Sequence, residues 1–248
     1  MEWLVGLVLV VILAYVVWNW NDLGSPILPL APRKRLCDYY VNGSVFEDIP
    51  SALARGVRLI ELHVYSDERN EPIVAKTGKN RGVPEENVTF ETCCVDMVND
   101  AFPSKDPLIL SIVPHTRDSY TLKRVAEHLQ TTLRRHLISD KNIECEPLDN
   151  FADKVIIVSE GGIGSEFDEL INMSWTESNV RRLSYQQALY PRDEEELMEF
   201  NRDHITIVGT QVDVKSVTAN PHRPLAFGCQ WNFTPGLTGF IEKPAHLQ

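Results

Sequence analysis

A glutamate and a histidine two residues apart are the first candidates for chemistry in this sequence. Glu61 and His63 lie in the apolar stretch VRLIELHVY, residues 57–65. Residues two apart in a β-strand point to the same face, so a carboxylate and an imidazole share one face of this strand. Buried together, they could act as an acid and a base near neutral pH. Because buried pairs of this kind are often structural, an internal salt bridge is the leading interpretation.

Other polar residues could extend this site. His115 follows a strand-like stretch and, like Lys76, could join the pair in acid–base work. A set of basic side chains could receive a phosphate without cleaving it: Lys76, Lys79 and Arg81. Glu61 and His63 alone lack the third and fourth ligands that zinc requires. The glycine-rich stretch VIIVSEGGIGSEF lacks the Lys-Ser/Thr of a phosphate-binding loop and is interpreted as a turn.

The elements that must position these residues alternate between strands and helices. The strands are predicted at residues 57–65, 72–76, 108–113, 155–159, 205–212, 226–233 and 239–242, and the helices at 49–55, 90–101, 120–137 and 194–203. This alternation indicates an α/β domain with a parallel sheet, either a barrel or a doubly wound open sheet. Polar residues near the carboxyl end of a strand favour a barrel, where active sites lie at that end. The alternative is a solvated edge strand.

The first residues of the chain differ in character from the rest. Residues 3–18 (WLVGLVLVVILAYVVW) carry no charge, and tryptophans stand at both ends of the stretch. Length and flanks predict a transmembrane helix rather than a core helix or a signal peptide, which would have a basic start and a cleavage site. Basic residues follow at positions 33–35, so the positive-inside rule predicts an outside or lumenal N-terminus and a cytosolic body.

We therefore predict three segments: a membrane anchor at residues 1–21, a Pro-rich and basic linker at 22–35, and a barrel domain at 36–248. Residues 3–21 would contact the bilayer. Five cysteines without the spacing of a disulfide framework fit a reducing compartment. Four glycosylation-type triplets argue the other way, although such short triplets also arise by chance; they begin at Asn42, Asn87, Asn172 and Asn232.

Charge limits the classes of partner. The 248 residues include 24 Lys and Arg and 35 Asp and Glu, which gives a formal net charge of −11 and a pI near 5.1. An acidic chain has no general attraction to the phosphate backbone of DNA or RNA. The sequence contains no basic arm that would reverse this conclusion. Nucleic acid is therefore not an expected partner.

Ordered segments of the chain resemble eukaryotic phosphoinositide-specific phospholipase C. IPSALARGVRLIELHVYSDERNEPIVAKTG, VTFETCCVDMVNDAFPSKDPLILSIVPHT and LDNFADKVIIVSEG are similar to the first catalytic half of that family. FNRDHITIVGTQVDVKSVTANPHRPLAFGCQWNF and GFIEKPAHL resemble the second half. The resemblance implies an abbreviated (β/α)8 barrel of the phospholipase C type, preceded here by the transmembrane helix.

The same resemblance implies a degenerate active site. The family uses two catalytic histidines and a Ca²⁺ held by an Asn and three acidic side chains. Glu61 matches one metal ligand, but His63 and Val113 stand where two other acids belong, and Lys76 or Thr77 replaces a catalytic histidine. His115 keeps its place in a motif, where its role in the family is not chemical. One carboxylate would not hold Ca²⁺, which needs six to eight oxygens, so no cofactor is expected.

Three functions remain open at this point. The leading hypothesis is a membrane-anchored, catalytically inactive phospholipase C-like protein, a binding or scaffold component of a membrane-associated assembly such as a coat or a viral particle, with protein partners. The first alternative is an active phosphoric diester hydrolase on phosphoinositide or glycerophosphodiester lipids, using Glu61, His63 and His115. The second is a non-catalytic reader of a phosphoinositide headgroup.

Overall fold

A computed structural model of the chain describes residues 34–45, 48–75, 87–103, 105–162, 164–209, 222–233 and 238–248. They belong to one compact unit, Lys34–Gln248. The predicted anchor at 1–21 and nearly all of the linker at 22–35 lie outside the described residues. None of the helices within these ranges has the length and apolar character needed to cross a bilayer.

Parallel strands form the central sheet. The strands are β1 (Tyr39–Val45), β2 (Leu59–Ser66), β3 (Pro72–Ala75), β4 (Asn87–Thr89), β5 (Leu108–Pro114), β6 (Val155–Ser159), β7 (Met173–Ser174), β8 (Val180–Ser184), β9 (Ile205–Gly209), β10 (Trp231–Asn232) and β11 (Phe240–Glu242). Their main order is β7-β6-β5-β2-β1-β10-β9-β8, with every neighbouring pair parallel. The antiparallel strands β3, β4 and β11 attach to its side.

This order describes a barrel that is nearly closed. Strands β7 and β8 are consecutive in the chain and form the two ends of the parallel ladder, with no pairing between them in the described residues. One apolar cluster collects side chains from strands on every side, among them Val41, Leu59, Ile109, Ile207 and Trp231. Side chains from opposite strands meet in this way only when the sheet curls around them, so the predicted barrel is confirmed and the open sheet is excluded.

The helices cover the outside of the barrel. They are α1 (Ile49–Ala54), α2 (Phe90–Asp100), α3 (Ser119–Thr132), α4 (Tyr185–Leu189), α5 (Glu194–Asp203) and α6 (Arg223–Ala226), and short 3-10 turns occur at Leu36–Asp38, Arg134–His136, Leu148–Phe151, Glu166–Leu170 and Ala245–Leu247. The longer helices begin where a side chain caps the first turn: Thr89 for α2, Asp118 for α3 and Asp193 for α5.

Several predicted boundaries were wrong. The helix predicted at 120–137 ends at Thr132 and continues as a 3-10 turn, which preserves the apolar spacing beyond the helix end. The strand predicted at 226–233 consists of the end of α6 and a two-residue strand. Strands β1, β4, β7 and β8 were not predicted, because polar residues or short length hid their pattern.

The alternation predicted for β2 is confirmed. Ile60, Leu62 and Val64 point outward into the apolar cluster beneath α2 and α3. Leu59 belongs to the interior cluster on the other face. Because β2 pairs with β1 on one side and β5 on the other, it is an inner strand, and the edge-strand alternative is wrong.

The asparagines of the four glycosylation-type triplets differ in how exposed they are. Asn42, Asn172 and Asn232 are all less than one-tenth exposed, and the Asn172 amide donates to two backbone carbonyls. Glycosylation needs an accessible amide on the surface. Only Asn87, exposed on β4, keeps that access among the four, so three of the triplets carry no information about compartment.

Candidate functional site

The inward face of β2 places Glu61 and His63 one above the other inside the barrel. Leu59 lies below them in the apolar interior. The Glu61 side chain is completely buried, and His63 is 8% exposed. Leu59, Glu61 and His63 follow one another along this face towards the carboxyl end of β2. The inward face is therefore apolar first, then acidic, and carries an imidazole at its end. This end of the barrel is called the mouth below.

Glu61 forms a bidentate ion pair with an arginine from the far side of the barrel. Arg182 Nη1 donates to Glu61 Oε2 at 2.8 Å, and Arg182 Nη2 donates to Glu61 Oε1 at 2.9 Å. Ser111, which pairs with Glu61 in the register of β2 and β5, donates its hydroxyl to Oε2 at 3.1 Å. The pair matches the planar fork of a guanidinium to the two oxygens of a carboxylate, the strongest geometry for such a contact.

These partners determine the charge of Glu61. Burial alone would raise the pKa of the carboxyl, but hydrogen bonds from His63 and Arg182 and the positive charge of Arg182 outweigh it and lower the pKa to about 2. The carboxylate is therefore ionised at neutral pH and only accepts hydrogen bonds. It cannot serve as a general acid in this state.

The imidazoles continue the network to the surface. His63 Nε2 lies 3.2 Å from Glu61 Oε1, and His63 Nδ1 lies 2.8 Å from His115 Nε2. Since the carboxylate only accepts, His63 Nε2 donates to it; Nδ1 of a neutral His63 then accepts, and His115 Nε2 donates. His115 stacks on Tyr65 with ring centroids 4.4 Å apart. Partial burial, the positive charge that a second proton on His63 would add, and the charge of Arg182 lower the pKa of His115.

Two neighbours hold Arg182 in place. Its guanidinium carbon lies 4.9 Å from the centre of the Trp175 ring, within the range of a cation–π contact. A side chain at Gly209 would begin 3.2 Å from Arg182 Nη2, so the bare backbone of this glycine leaves the space that the guanidinium fills. Arg182 is 20% exposed and its charge is directed into the barrel rather than into solvent.

The residues present do not fit the Ca²⁺ ion of the resembling family. Both oxygens of Glu61 already accept hydrogen bonds from protein donors. Across the part of the chain that is described, no three His, Cys, Asp or Glu side chains are grouped to hold a metal. Ca²⁺ needs six to eight oxygen ligands, whereas the described neighbours of Glu61 are a guanidinium, an imidazole and the single hydroxyl oxygen of Ser111.

The structure brings together part of the predicted site. Glu61, His63 and His115 converge at the mouth, and Val113 pairs with His63 in the register of β2 and β5. The basic set Lys76, Lys79 and Arg81 lies outside the described residues. The expected internal salt bridge of Glu61 is present, but its principal partner is Arg182 rather than His63.

Sequence reasoning missed Arg182, and a signal for it was available. The segment VRRLS, residues 180–184, alternates so that one of two adjacent arginines must face inward. Arg182 does so, and Arg181 pairs with Glu196 on the outside. Ser111 and Trp175 were missed as well, since neither type suggests chemistry without its neighbours.

The glycine-rich segment after β6 is a turn, as predicted. The backbone N–H of Gly164 donates to Asp168 Oδ2 at 2.6 Å, and the Gly161 N–H donates to the Ser174 hydroxyl at 2.8 Å. The chain's own oxygen atoms thus occupy donors that a bound phosphate would need.

Comparison with known proteins supports the resemblance. The model of the family described as phosphatidylinositol-specific phospholipase C, X domain, matches residues 36–160. The crystal structure of PLC21 from L. pealei superposes with a TM-score of 0.70 at 17% identity, and PLC21 from S. officinalis gives the same TM-score at 19% identity. Each comparison covers 88% of this chain, which spans 38% of the length of those proteins.

A bacterial protein of similar size shares the fold. The calcium-dependent phosphoinositol-specific phospholipase C from a Pseudomonas species has a TM-score of 0.55 at 13% identity, covering 88% of this chain and 95% of that one. At such identities the likeness shows the fold alone. No curated relative matches the sequence.

Proposed function

The chain belongs to the phosphatidylinositol-specific phospholipase C X-domain family, and we propose that it is a non-hydrolytic member that acts as a membrane-anchored binding or scaffold protein. The observation that carries this proposal is the bidentate pair between Arg182 and Glu61. By resemblance, Glu61 is the counterpart of a calcium ligand. In this chain its charge is neutralised by a side chain instead.

The chemistry that a phosphodiester cleavage needs supports the same conclusion. An attacking hydroxyl must lose its proton, and the phosphorane charge must be neutralised in the transition state. Glu61 is held as an ion by Arg182, and the two N–H groups of Arg182 that reach Glu61 are engaged. Neither residue is free to take up a reacting group without breaking a buried ion pair, which is costly.

The membrane role rests on the sequence. An uncharged span at residues 3–21 would fix the barrel at a bilayer, with the N-terminus outside or lumenal and the barrel on the cytosolic side. A barrel held there without turnover would act through partners in a membrane-associated assembly. Cross-linking in native membranes should then recover stable neighbours in fixed proportion. A monodisperse monomer without neighbours would contradict the scaffold role.

The loss of hydrolysis is tested with the full chain in lipid nanodiscs that contain phosphatidylinositol. We expect no release of water-soluble inositol phosphate with or without Ca²⁺, and no heat of Ca²⁺ binding in a calorimetric titration. The Pseudomonas enzyme, which is described as calcium-dependent, serves as the positive control. Turnover that disappears in Glu61→Gln would show that the site is active and would overturn the proposal.

A metal-independent phosphoric diester hydrolase is the second candidate. It is favoured by the relay from His115 through His63 to Glu61, which leaves Nδ1 of neutral His115 as an acceptor at the exposed rim. An imidazole in this position could take a proton from a hydroxyl. Calcium-independent turnover that is lost in both His115→Ala and His63→Ala, but kept in His128→Ala on the outer helix α3, would establish this function.

A further inference from the structure

Two of the five cysteines lie on adjoining segments at the amino-terminal end of the barrel, called the floor below. Arg35 and Pro147 form an isolated antiparallel bridge. Cys37 follows the bridge in the 3-10 turn Leu36–Asp38, and Cys145 lies in a turn two residues before Pro147. Backbone bonds beside the bridge tie the same segments together, from Leu36 N to Glu146 O at 2.9 Å and from Cys37 N to Glu144 O at 3.0 Å. Because Glu144 directly precedes Cys145, the hydrogen bond from the Cys37 N–H to the Glu144 carbonyl places the backbones of the two cysteines side by side.

The thiols themselves point to one place. Cys37 Sγ lies 3.5 Å from the carbonyl oxygen of Arg202, and Cys145 Sγ lies 3.2 Å from the next carbonyl, that of Asp203. Consecutive carbonyls at the end of α5 therefore draw both sulfur atoms to one place, in addition to the backbone bonds that join the two segments.

The two cysteines differ in access. Cys37 is completely buried, and burial raises the pKa of its thiol to about 12. Cys145 is exposed, and a smaller rise of its pKa follows from partial burial and the nearby acidic residues. An external reagent would thus meet Cys145 first, and Cys37 would react only with a sulfur already attached to Cys145.

We propose that Cys37 and Cys145 form a reversible disulfide by exchange with a small-molecule disulfide. The Cys145 thiolate attacks one sulfur of the reagent, which breaks the reagent's S–S bond and releases one thiolate. Cys37 gives up its proton to solvent and attacks the Cys145 sulfur, and the second half of the reagent leaves as a thiolate. Two protein thiols are oxidised to one disulfide, and one external disulfide is reduced to two thiols.

This bond would tie the segment that enters β1 to the segment that precedes β6, closing the loop from residue 37 to residue 145. Restricting so long a loop removes conformational freedom from the unfolded chain. The floor lies at the opposite end of the strands from Glu61 and Arg182, so the bond should stabilise the barrel without changing the mouth. The inference is therefore independent of the proposed function.

The test equilibrates the full chain in nanodiscs with defined ratios of oxidised and reduced glutathione, followed by alkylation and peptide mapping. We expect a linked pair of peptides that contain Cys37 and Cys145, and a Tm raised by roughly 5–10 °C in the oxidised protein. In Cys145→Ser, an exposed position that tolerates the change, oxidation should leave Tm unaltered. The control Cys93→Ala, at a buried cysteine of α2 that takes no part in the pair, should keep both the linked peptides and the shift.

Three results would overturn the inference. One is alkylation of both thiols after full equilibration with oxidised glutathione. Another is glutathione that remains attached to Cys145 with no second exchange. The third is a bond between Cys145 residues of two chains, visible as a dimer on non-reducing gels.

Discussion

The mouth and the floor of the barrel both bury a charged side chain, but they stabilise it by different means. At the mouth, Glu61 is neutralised by Arg182 at 2.8 and 2.9 Å, and its pKa is lowered to about 2. At the floor, Lys243 is 2% exposed and donates to the carbonyl oxygen of Asn201 at 2.6 Å. Burial outweighs the nearby negative groups there and lowers the pKa of Lys243 to about 8.

The two buried groups differ because one has an ionised partner and the other has only the dipole of a backbone carbonyl. Asp38 is an acid whose charge acts on Lys243, but Arg35 binds both of its oxygens, so the lysine donates to a backbone carbonyl instead. A buried group with an ionised partner stays charged, whereas one held by a dipole moves towards its neutral form. The mouth therefore keeps its ion pair over the whole physiological range of pH, and the floor titrates near its upper limit.

The first way to break this comparison is to remove the cation at the mouth. Arg182→Met leaves the Glu61 carboxylate buried without its counter-charge, and we expect the free energy of unfolding to fall by about 3–5 kcal/mol. Urea denaturation of the full chain at pH 7, followed by tryptophan fluorescence, measures the change.

The neighbouring arginine supplies a matched control. Arg181 is bound to Glu196 on the outer surface, where both side chains are at least one-third exposed, so Arg181→Met should cost no more than about 1 kcal/mol. The double variant Glu61→Met with Arg182→Met removes both charges and should recover most of the loss. Equal losses in the two arginine variants would contradict the role given to the mouth pair.

Low pH tests the mouth separately from the floor, because it protonates Glu61 and removes the negative charge of the ion pair. The pKa of Glu61 is lower in the folded chain than its ordinary value of 4.5, so its stabilising contribution is complete above pH 4.5 and is lost as pH falls through about 2. The difference corresponds to about 3 kcal/mol.

A comparison of the wild type with Glu61→Gln isolates this contribution. The gap between their unfolding free energies should be widest at pH 7 and should narrow by that amount between pH 4.5 and pH 2. Urea titrations at half-unit steps of pH provide the measurement. A gap that stays constant over this range would show that the carboxyl is not held ionised by its neighbours.

The sequence predicted the parts of the mouth that lie close together along the chain. Glu61 and His63 share a strand face by simple alternation, and family motifs place His115 at the end of the next strand. Arg182 lies 121 residues from Glu61 in a segment whose polar residues do not look like a buried strand. Arg182 reaches the interior only because the barrel closes, and no local sequence pattern predicts that closure.

The floor was harder to predict than the mouth. Lys243 follows β11, an attached strand whose pairing with β1 places the lysine beside residues 37 and 38. A lysine near the end of a sequence is ordinarily solvated, so its burial could not be inferred from type or spacing. The proximity of Cys37 and Cys145 could not be predicted either, since it depends on backbone hydrogen bonds between segments that are distant in sequence.

The smallest expected effect comes from removing the cation at the floor. In Lys243→Met the Asn201 carbonyl keeps a hydrogen bond from Gln230 Nε2 at 2.7 Å, so we expect a loss of only about 1 kcal/mol at pH 7. Because the folded pKa of Lys243 lies below its ordinary value, the unfolded chain binds more protons between pH 8 and 10.5, and the contribution of the lysine grows with pH in that range.

The two ends should therefore respond to pH in separate ranges. The cost of Arg182→Met declines below pH 4.5 as acid protonates Glu61, whereas the cost of Lys243→Met changes at alkaline pH and rises from pH 7 to pH 9.5. The thiols of Cys37 and Cys229, which face Lys243, each have a pKa near 12 and stay protonated over this interval. Unfolding curves of wild type and Lys243→Met at pH 7, 8.5 and 9.5 measure this change. A cost that falls with rising pH would mean that Lys243 has a charged partner. The two ends would then bury charge in the same way.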